Sequence, residues 1–425
     1  MHRLNIVLFG ATGYTGRATI PALYKLTKKG ATNLTWGVAG RSREKLEKVL
    51  QDASTELSTS LSHIPIIIAD VNNEASLNEM AAKSQVIINV CGPFRFYGEA
   101  IVKACIANGT HHLDISGEPQ FIETIQLKYA EAAAANKSYI ISSCGFDSIP
   151  ADLGVVFLQE QFKGVLDSVE AHLQTSSGSK SRQGPFFNYA TWESAVNGMN
   201  DYANLKLIRQ KLNEKRSKVP PKRSDKKKTI FKNQITGQWS LPFPGADTSV
   251  VKRSQQYFYE EQNKQPIKFD MYFCVDSISS VISSLFLYMT LSTLSRSEFG
   301  KKLLLKHPKL FSFGVFSHDA PIDEERKESK ATIFMKGNGC LDINSKKYSN
   351  KPKDLIISRI AAQDPAYGNT GTIVTLAAIT LLEESDKLPN NGNGGVFTPA
   401  AAFSRTTLIQ RLNTNGITFK IVSKY

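Results

Sequence analysis

The chain has 425 residues and a formal net charge of +14, enough length for two or three domains with a sizeable core. The charge is local: between residues 206 and 232 twelve Lys and Arg face only Glu214 and Asp225, so ten of the fourteen excess charges fall in one stretch, which argues against a basic face over the whole protein. The five cysteines, Cys91, Cys105, Cys144, Cys274 and Cys340, are odd in number and scattered, which argues against a disulfide framework or a zinc site and implies a reducing compartment.

In chain order, residues 4–9 (LNIVLF) are an apolar run ended by Gly10, the pattern of a strand buried on both faces of a parallel sheet. Only His2 and Arg3 separate this strand from Met1, so no signal peptide is expected. A helix is predicted from about Tyr14 to Lys29, with Pro21 forcing a kink or an earlier end. Strands are predicted at 35–40, 64–70, 84–92, 111–116 and 139–145, with helices at 43–57, 76–83, 99–108 and 119–136 between them. This alternation gives βαβ units and one parallel sheet.

Near residue 165 the pattern changes. A half-polar, strand-rich region begins at 168–175 and runs to about 350, with a helix near 191–213, a basic loop at 214–229 and an apolar stretch at 277–295. A helix at about 371–382 follows, then an Asn/Gly linker at 390–395. Thr398 as N-cap and Pro399 at the first helical position open a last helix that Gly416 ends, and 419–422 is a final strand. The expected division is a Rossmann domain at 1–160, an inserted α+β substrate or dimerisation domain at 161–355, and a C-terminal segment at 356–425 packing back on the first domain.

Gly10-Ala11-Thr12-Gly13-Tyr14-Thr15-Gly16 places a GxxGxxG loop between the first strand and the first helix. The first glycine allows a tight turn, the second lets the backbone approach a pyrophosphate, and the third lets helix pack on strand. The helix N-terminus then offers free N–H groups and the positive end of its dipole. The second strand ends in Ala39-Gly40-Arg41-Ser42-Arg43. Domains that bind NAD(H) carry an acid near this place for the ribose 2′-hydroxyl, whereas a guanidinium pairs with a 2′-phosphate. The cofactor expected is therefore NADP(H), with NAD(H) second. The other reading of Arg41 and Arg43 is solvated charge at a helix start. Asp70, ending the third strand, is placed to meet the adenine or to cap the next turn. Asn89, Cys91, Gly92 and Pro93, ending the fourth, lie where backbone would pass the nicotinamide ribose.

A hydride-transfer site needs orientation and one proton donor. Tyr97 is the candidate donor, and Asp114, Glu118 and Asp147 are candidates to orient substrate or water. Asp147-Ser148-Ile149-Pro150 reads equally as a helix N-cap with a nearby proline. Cys91 and Cys144 offer thiol chemistry or serve as small core residues. His111 and His112 point to opposite faces of a strand and do not readily chelate one metal. Tyr202 and Lys206 have the Tyr-x-x-x-Lys spacing of short-chain dehydrogenases, but lie past the Rossmann strands and lack the upstream serine.

These residues together resemble the saccharopine dehydrogenase-like oxidoreductase family, and its animal branch and bacterial trans-acting enoyl reductases above all. The motifs that carry the resemblance are GATGYTG, AGRS, NVCGPF with Tyr97-Gly98, HLDISGE (112–118), CGFDSIPAD (144–152), DPAYGNTG (364–371) and GGVFTPAAAF (394–403). The resemblance implies a Rossmann domain with an inserted α+β domain, NAD(P)-dependent oxidoreduction, a lipid-related substrate, and lipid-droplet or membrane association. A true saccharopine enzyme needs a cluster of basic groups over the nicotinamide, and none is identified in the sequence.

Residues 277–295 carry no charge over 19 residues but seven serines and two threonines. A buried core helix, an interfacial or lipid-droplet hairpin, and a membrane span all fit. The basic loop would suit an anionic surface or be plain solvated chain. It lacks the interleaved aromatics that stack on bases, so no nucleic acid is expected. The function expected is hydride transfer to or from a hydrophobic C=C or C=O substrate. The alternative is a nucleotide-bound scaffold on lipid droplets or membranes that has lost catalysis. A homodimer is a further expectation, and the location expected is intracellular, at lipid droplets or membranes, with the mitochondrion as second choice.

Overall fold

The computed structural model describes residues 3–28, 34–177, 183–199, 201–217, 228–341 and 354–424. Two compact units form, one from Met1–Asp147 with Ala366–Arg411 and one from Ser148–Pro365 with Leu412–Tyr425.

The first unit opens with β1 (Leu4–Phe9), α1 (Tyr14–Leu26), β2 (Trp36–Gly40), α2 (Arg43–Glu56), β3 (Ile66–Ile68), α3 (Glu74–Ala82), β4 (Ser84–Asn89), α4 (Phe94–Ala107), β5 (His111–Asp114), α5 (Pro119–Ala135) and β6 (Tyr139–Ile141). The strands are parallel in the order β6-β5-β4-β1-β2-β3. Ile6, Val7 and Leu8 of β1 are wholly buried because that strand is central. The strand order reverses at β1, with β2 and β3 on one side and β4 to β6 on the other. A crevice at the carboxyl ends of β1 and β4 is where such a sheet takes a ligand.

α1 runs through Pro21 and ends early, at Leu26, where Thr27 donates its hydroxyl to the Leu23 carbonyl at 2.6 Å. Two other boundaries differ from expectation. α3 begins at Glu74 because Asn73 caps it, accepting the Ser76 N–H at 3.1 Å. α4 begins at Phe94, five residues before Glu99. Its cap comes from far along the chain: Glu118 Oε1 accepts the Phe94 N–H at 2.9 Å.

The second unit contains α6 (Ile149–Gln161), β7 (Val165–Ser176), β8 (Phe187–Asn188), α7 (Tyr189–Gly198), α8 (Tyr202–Glu214), β9 (Phe231–Lys232), β10 (Trp239–Pro242), α9 (Asp247–Gln262), β11 (Lys268–Val275), α10 (Ile278–Leu294), α11 (Glu298–Lys306), α12 (Pro308–Phe311), β12 (Phe316–Ser317), α13 (Asp323–Glu328), β13 (Lys330–Cys340) and β14 (Asp354–Gln363). β13 alternates buried and half-buried residues, as a sheet with one covered face requires. α6 covers that face closely: a Cβ on Gly154 would stand 2.6 Å from Met335 Sδ and Ile360 Cδ1. This packing puts α6 in the second unit, so the Rossmann unit's first segment ends at 147 rather than 160. The helix expected over 191–213 is two helices, α7 and α8, separated after Gly198. Most of the basic loop, 218–227, lies outside the described residues.

The chain then returns with α14 (Gly368–Glu383), β15 (Gly395–Phe397), α15 (Pro399–Phe403), α16 (Leu408–Asn413) and β16 (Thr418–Lys424). α14 lies against α1. Gly371 makes the approach feasible, since a Cβ there would be 2.8 Å from Thr19 Cα. β15 pairs in parallel with β6 and adds a seventh strand to the first sheet, starting at Gly395, the last residue of what reads as a linker. The single last helix is in fact α15 and α16; between them Glu384 Oε2 accepts the Thr407 N–H at 3.0 Å. β16 does not return to the Rossmann sheet. It pairs with β14 at the edge of the second, mixed sheet, whose order is β16-β14-β13-β7-β11-β10-β9.

Candidate functional site

The glycine loop is held by three different constraints. Gly10 has φ +87, and a Cβ on it would stand 3.0 Å from the Cys91 backbone nitrogen, so the loop lies directly against the end of β4. A Cβ on Gly16 would meet the Gly10 carbonyl oxygen at 2.3 Å. Gly13 is exposed, with extended backbone, and is the N-cap of α1. No side chain caps this helix and no acid lies in its first turn, so its N-terminal end is built for an anion. Thr12, Tyr14 and Thr15 are half-buried around it. The Tyr14 ring meets Tyr367 edge-on, with centroids 4.5 Å apart. That contact sets Tyr367 beside the loop, a neighbour that sequence spacing alone gave no reason to expect.

At the end of β2, Thr12, Arg41, Ser42 and Lys45 line a hollow of about 330 Å³. Ser42 caps α2, its Oγ accepting the Lys45 N–H at 3.3 Å. Arg41 is exposed and makes no ion pair among the described residues. Arg43 turns away, 3.7 Å from Glu47 on the surface of α2. No carboxylate lines the hollow. Lys45 was missed by the sequence reading. Asp70 Oδ1 accepts the Asn72 N–H at 2.9 Å, which makes it the cap of the turn into α3.

At the end of β4, Asn89 is wholly buried. Its Oδ1 accepts the Cys91 N–H at 3.0 Å, and its Nδ2 lies 3.3 Å from His112 Nε2. Its side chain shapes the turn through Cys91, Gly92 and Pro93, the last of which is the N-cap of α4. Burial pushes the Cys91 thiol pKa up, away from the thiolate a nucleophile needs.

The strand-end carboxylates divide by role. Glu118 is buried and spent on α4: it accepts the Phe94 N–H, the Arg95 N–H at 3.3 Å and the Arg95 guanidinium at 2.8 Å. Asp114 is wholly buried and accepts Ser116 N–H at 2.9 Å, Ser142 hydroxyl at 2.8 Å and Ser143 N–H at 3.1 Å. Burial outweighs those bonds and pushes its pKa up to about 6. Both acids hold loops rather than face a reactant. Cys144 is wholly buried with its Sγ 3.4 Å from the Ile141 carbonyl, a small core residue.

Tyr97 stands half-buried in the first turn of α4, its ring 6.2 Å from that of Phe96. Asp147 is half-buried at the end of the first segment of this unit. The N-cap of α6 is Ser148, one residue later than the capping reading put it. A Cβ on Gly117 would stand 2.8 Å from Asp147 Oδ2, so glycine at 117 makes room for this carboxylate. No hydrogen bond joins Tyr97 to Asp147 among the described residues. His111 Nδ1 accepts the Tyr139 N–H at 3.1 Å, while His112 faces Asn89, so the two rings serve different neighbours.

Comparison with known proteins places these motifs in context. A family model described as the saccharopine dehydrogenase NADP binding domain matches residues 6–141. A saccharopine dehydrogenase-like oxidoreductase of Rattus norvegicus is 41% identical over 423 residues, covering 98% of this chain and 97% of its own. A Caenorhabditis elegans protein named lipid droplet localized protein is 34% identical over 432 residues, covering 100% of both chains. Among solved structures, apo saccharopine dehydrogenase (L-Glu forming) from Saccharomyces cerevisiae matches 99% of this chain and 100% of its own with a TM-score of 0.53 at 11% identity, which shows a shared fold.

Proposed function

Since the chain belongs to the saccharopine dehydrogenase-like oxidoreductase family, we propose that it is an NADP(H)-dependent oxidoreductase acting on a C=C or C=O bond of a hydrophobic, lipid-derived substrate. The observation that carries the cofactor preference is the acid-free hollow at the end of β2, where Arg41 and Lys45 are the cations. Two cations and no carboxylate suit a 2′-phosphate and give an unmodified ribose hydroxyl no acceptor of the usual kind.

The residues present fit the cofactor. A Cβ on Gly10 would meet Cys91 at the end of β4, and one on Gly16 the loop's own backbone, which leaves Gly13 and the first turn of α1 to meet the pyrophosphate. Thr12, Ser42, Arg41 and Lys45 would hold the 2′-phosphate, and the backbone of Cys91 to Pro93 would flank the nicotinamide ribose. When bound, the nicotinamide supplies or accepts the hydride. Tyr97 is the proton donor in this reading and Asp147 orients the substrate.

A saccharopine-type substrate, with several carboxylates, suits this end of the sheet poorly. Segments 89–98, 114–118 and 142–148 contain one cation, Arg95, and it is paired with Glu118 at 2.8 Å. A hydrophobic substrate asks for no such cluster. The lipid-derived class also draws support from the name of the Caenorhabditis elegans relative.

Titration of the purified protein with NADPH and NADH, followed by nicotinamide fluorescence, tests the reading. NADPH should bind more tightly than NADH. Arg41→Ala should weaken NADPH about tenfold or more, as expected for loss of a hydrogen bond between charged groups, and leave NADH unchanged. Equal affinities with an indifferent Arg41→Ala would overturn the NADP(H) preference. Binding of neither nucleotide would overturn the enzyme reading.

A further inference from the structure

The surface of the second unit carries a helix whose apolar side is turned outward. α10 buries only Val281 and Leu291. Leu291 joins Trp192, Val196 and Leu304 in a small core, against which Leu287 and Leu294 also pack. The opposite side of α10 carries Ile278, Ile282, Leu285 and Met289, spaced i, i+4, i+7 and i+11, which is one continuous stripe. Ile282 is 62% exposed and Met289 63%. Neither a buried core helix nor a membrane span describes this segment: most of it is open, and among the described residues no helix is long and apolar enough to cross a membrane.

The stripe continues into the next elements. Phe313 follows α12 and lies against Phe286, with ring centroids 6.1 Å apart. Phe313 is 61% exposed and Leu310, on α12, 70%. A hollow of about 390 Å³ opens beside them, lined by Lys306, His307, Lys309, Leu310, Ser317 and His318. Leu310 is shared by the hollow and the apolar surface. His318 is fixed by stacking on Tyr189 at 4.1 Å and by a hydrogen bond of Nε2 to the Leu305 carbonyl at 3.2 Å. No carboxylate lines the hollow. From residue 296 to 310 there are five Lys and Arg and one acid, Glu298, so uncharged α10 leads into a segment of net +4.

We propose that the α10–α12 face docks on an anionic phospholipid surface, with the α10 stripe and Phe313 entering the boundary of the acyl chains and the Lys306–His318 hollow receiving a lipid phosphate. An apolar stripe continuous with a basic hollow matches a surface whose acyl chains and charged heads lie side by side. α10, about 25 Å long at 1.5 Å per residue, lies along such a surface rather than through it. A second copy of the chain fits less well, since a two-fold contact sets the same surface against itself and would oppose the two basic segments. The inference does not rest on the hydride-transfer reading, because the residues it uses are all in the second unit.

Flotation of the full chain with phosphatidylcholine vesicles, with and without phosphatidylserine, tests it. The chain should float with the anionic vesicles and weakly with the neutral ones. Ile282→Ser with Met289→Ser, and separately Lys306→Glu with Lys309→Glu, should each cut flotation about tenfold or more. All four side chains are outward or solvent-facing, so both variants should melt as the parent does and keep its NADPH affinity, which separates failure here from failure of the cofactor reading. A parent chain that does not float, or double variants that float equally, would overturn the proposal. A parent dimer that Ile282→Ser with Met289→Ser converts to monomer would overturn it in favour of a second copy.

Discussion

Gly13 and Gly16 lie three positions apart, yet the same substitution should fail for different reasons. A methyl group on Gly16 would enter the Gly10 carbonyl at 2.3 Å, and backbone must move to admit it. Gly16→Ala should therefore destabilise the first unit by about 1–3 kcal/mol, visible as a lower melting midpoint. Gly13 has φ −72 and is exposed, and a Cβ there would come no nearer than 3.3 Å to the Gly10 carbonyl. Gly13→Ala should melt near the parent and weaken NADPH about tenfold by holding the pyrophosphate off the backbone. A Gly13→Ala protein that binds NADPH like the parent would show that the nucleotide does not lie over this turn. The glycines were readable because each acts within its own loop. Lys45 was not, because in sequence it is one more helix lysine, no different from Lys48. Asp114 and Glu118 misled for the same reason: a strand-end carboxylate looks the same whether it meets a substrate or a backbone N–H 24 residues away, as Glu118 meets Phe94.

Elements follow the same division. β1, β2 and β4 were legible because apolar runs are local signals. The start of α4 was not, because Pro93 brings no capping group and Glu118 supplies it through space. β15 was hidden by glycines that look like a linker. Gly394 has φ +71, and a Cβ on it would strike the Ser138 backbone nitrogen at 2.5 Å, so these glycines let a strand in beside β6. The dependence of α4 on a distant acid is testable. Glu118→Ala removes a buried acceptor of two N–H groups and the carboxylate 2.8 Å from the Arg95 guanidinium, at a cost of about 3 kcal/mol. Glu118→Gln keeps an amide oxygen for Phe94 and should cost less. Chemical denaturation of the three proteins checks the order. A Glu118→Ala variant as stable as the parent would mean that α4 does not need this cap.

At the scale of the whole chain, burial keeps histidines neutral in both units, two in the first and one in the second. In the first unit, burial pushes the pKa of His111 down to about 4 and of His112 to about 3. In the second, burial, with Lys228 and Lys336 adding to it, pushes His172 down to about 4. Unfolding returns each ring to an ordinary value near 6.5. Below that pH the unfolded chain binds protons that the folded chain refuses, so stability falls as pH drops from about 6.5 toward 4. Asp114 works the other way: folded it keeps its proton up to about 6, unfolded only to about 3.8, so it adds stability as pH falls between those values. One such carboxyl in the first unit stands against two histidines, and none of the groups with a resolved shift opposes His172 in that way except Glu160, whose pKa burial also raises. The melting midpoints of both units should therefore fall between pH 6.5 and 4.5. NADPH identifies them, because a ligand raises only the transition of the unit that binds it. If the NADPH-sensitive midpoint holds constant or rises on acidification, His111 and His112 do not stay neutral in the folded sheet, and the packing of β5 between β4 and β6 would have to admit their charge.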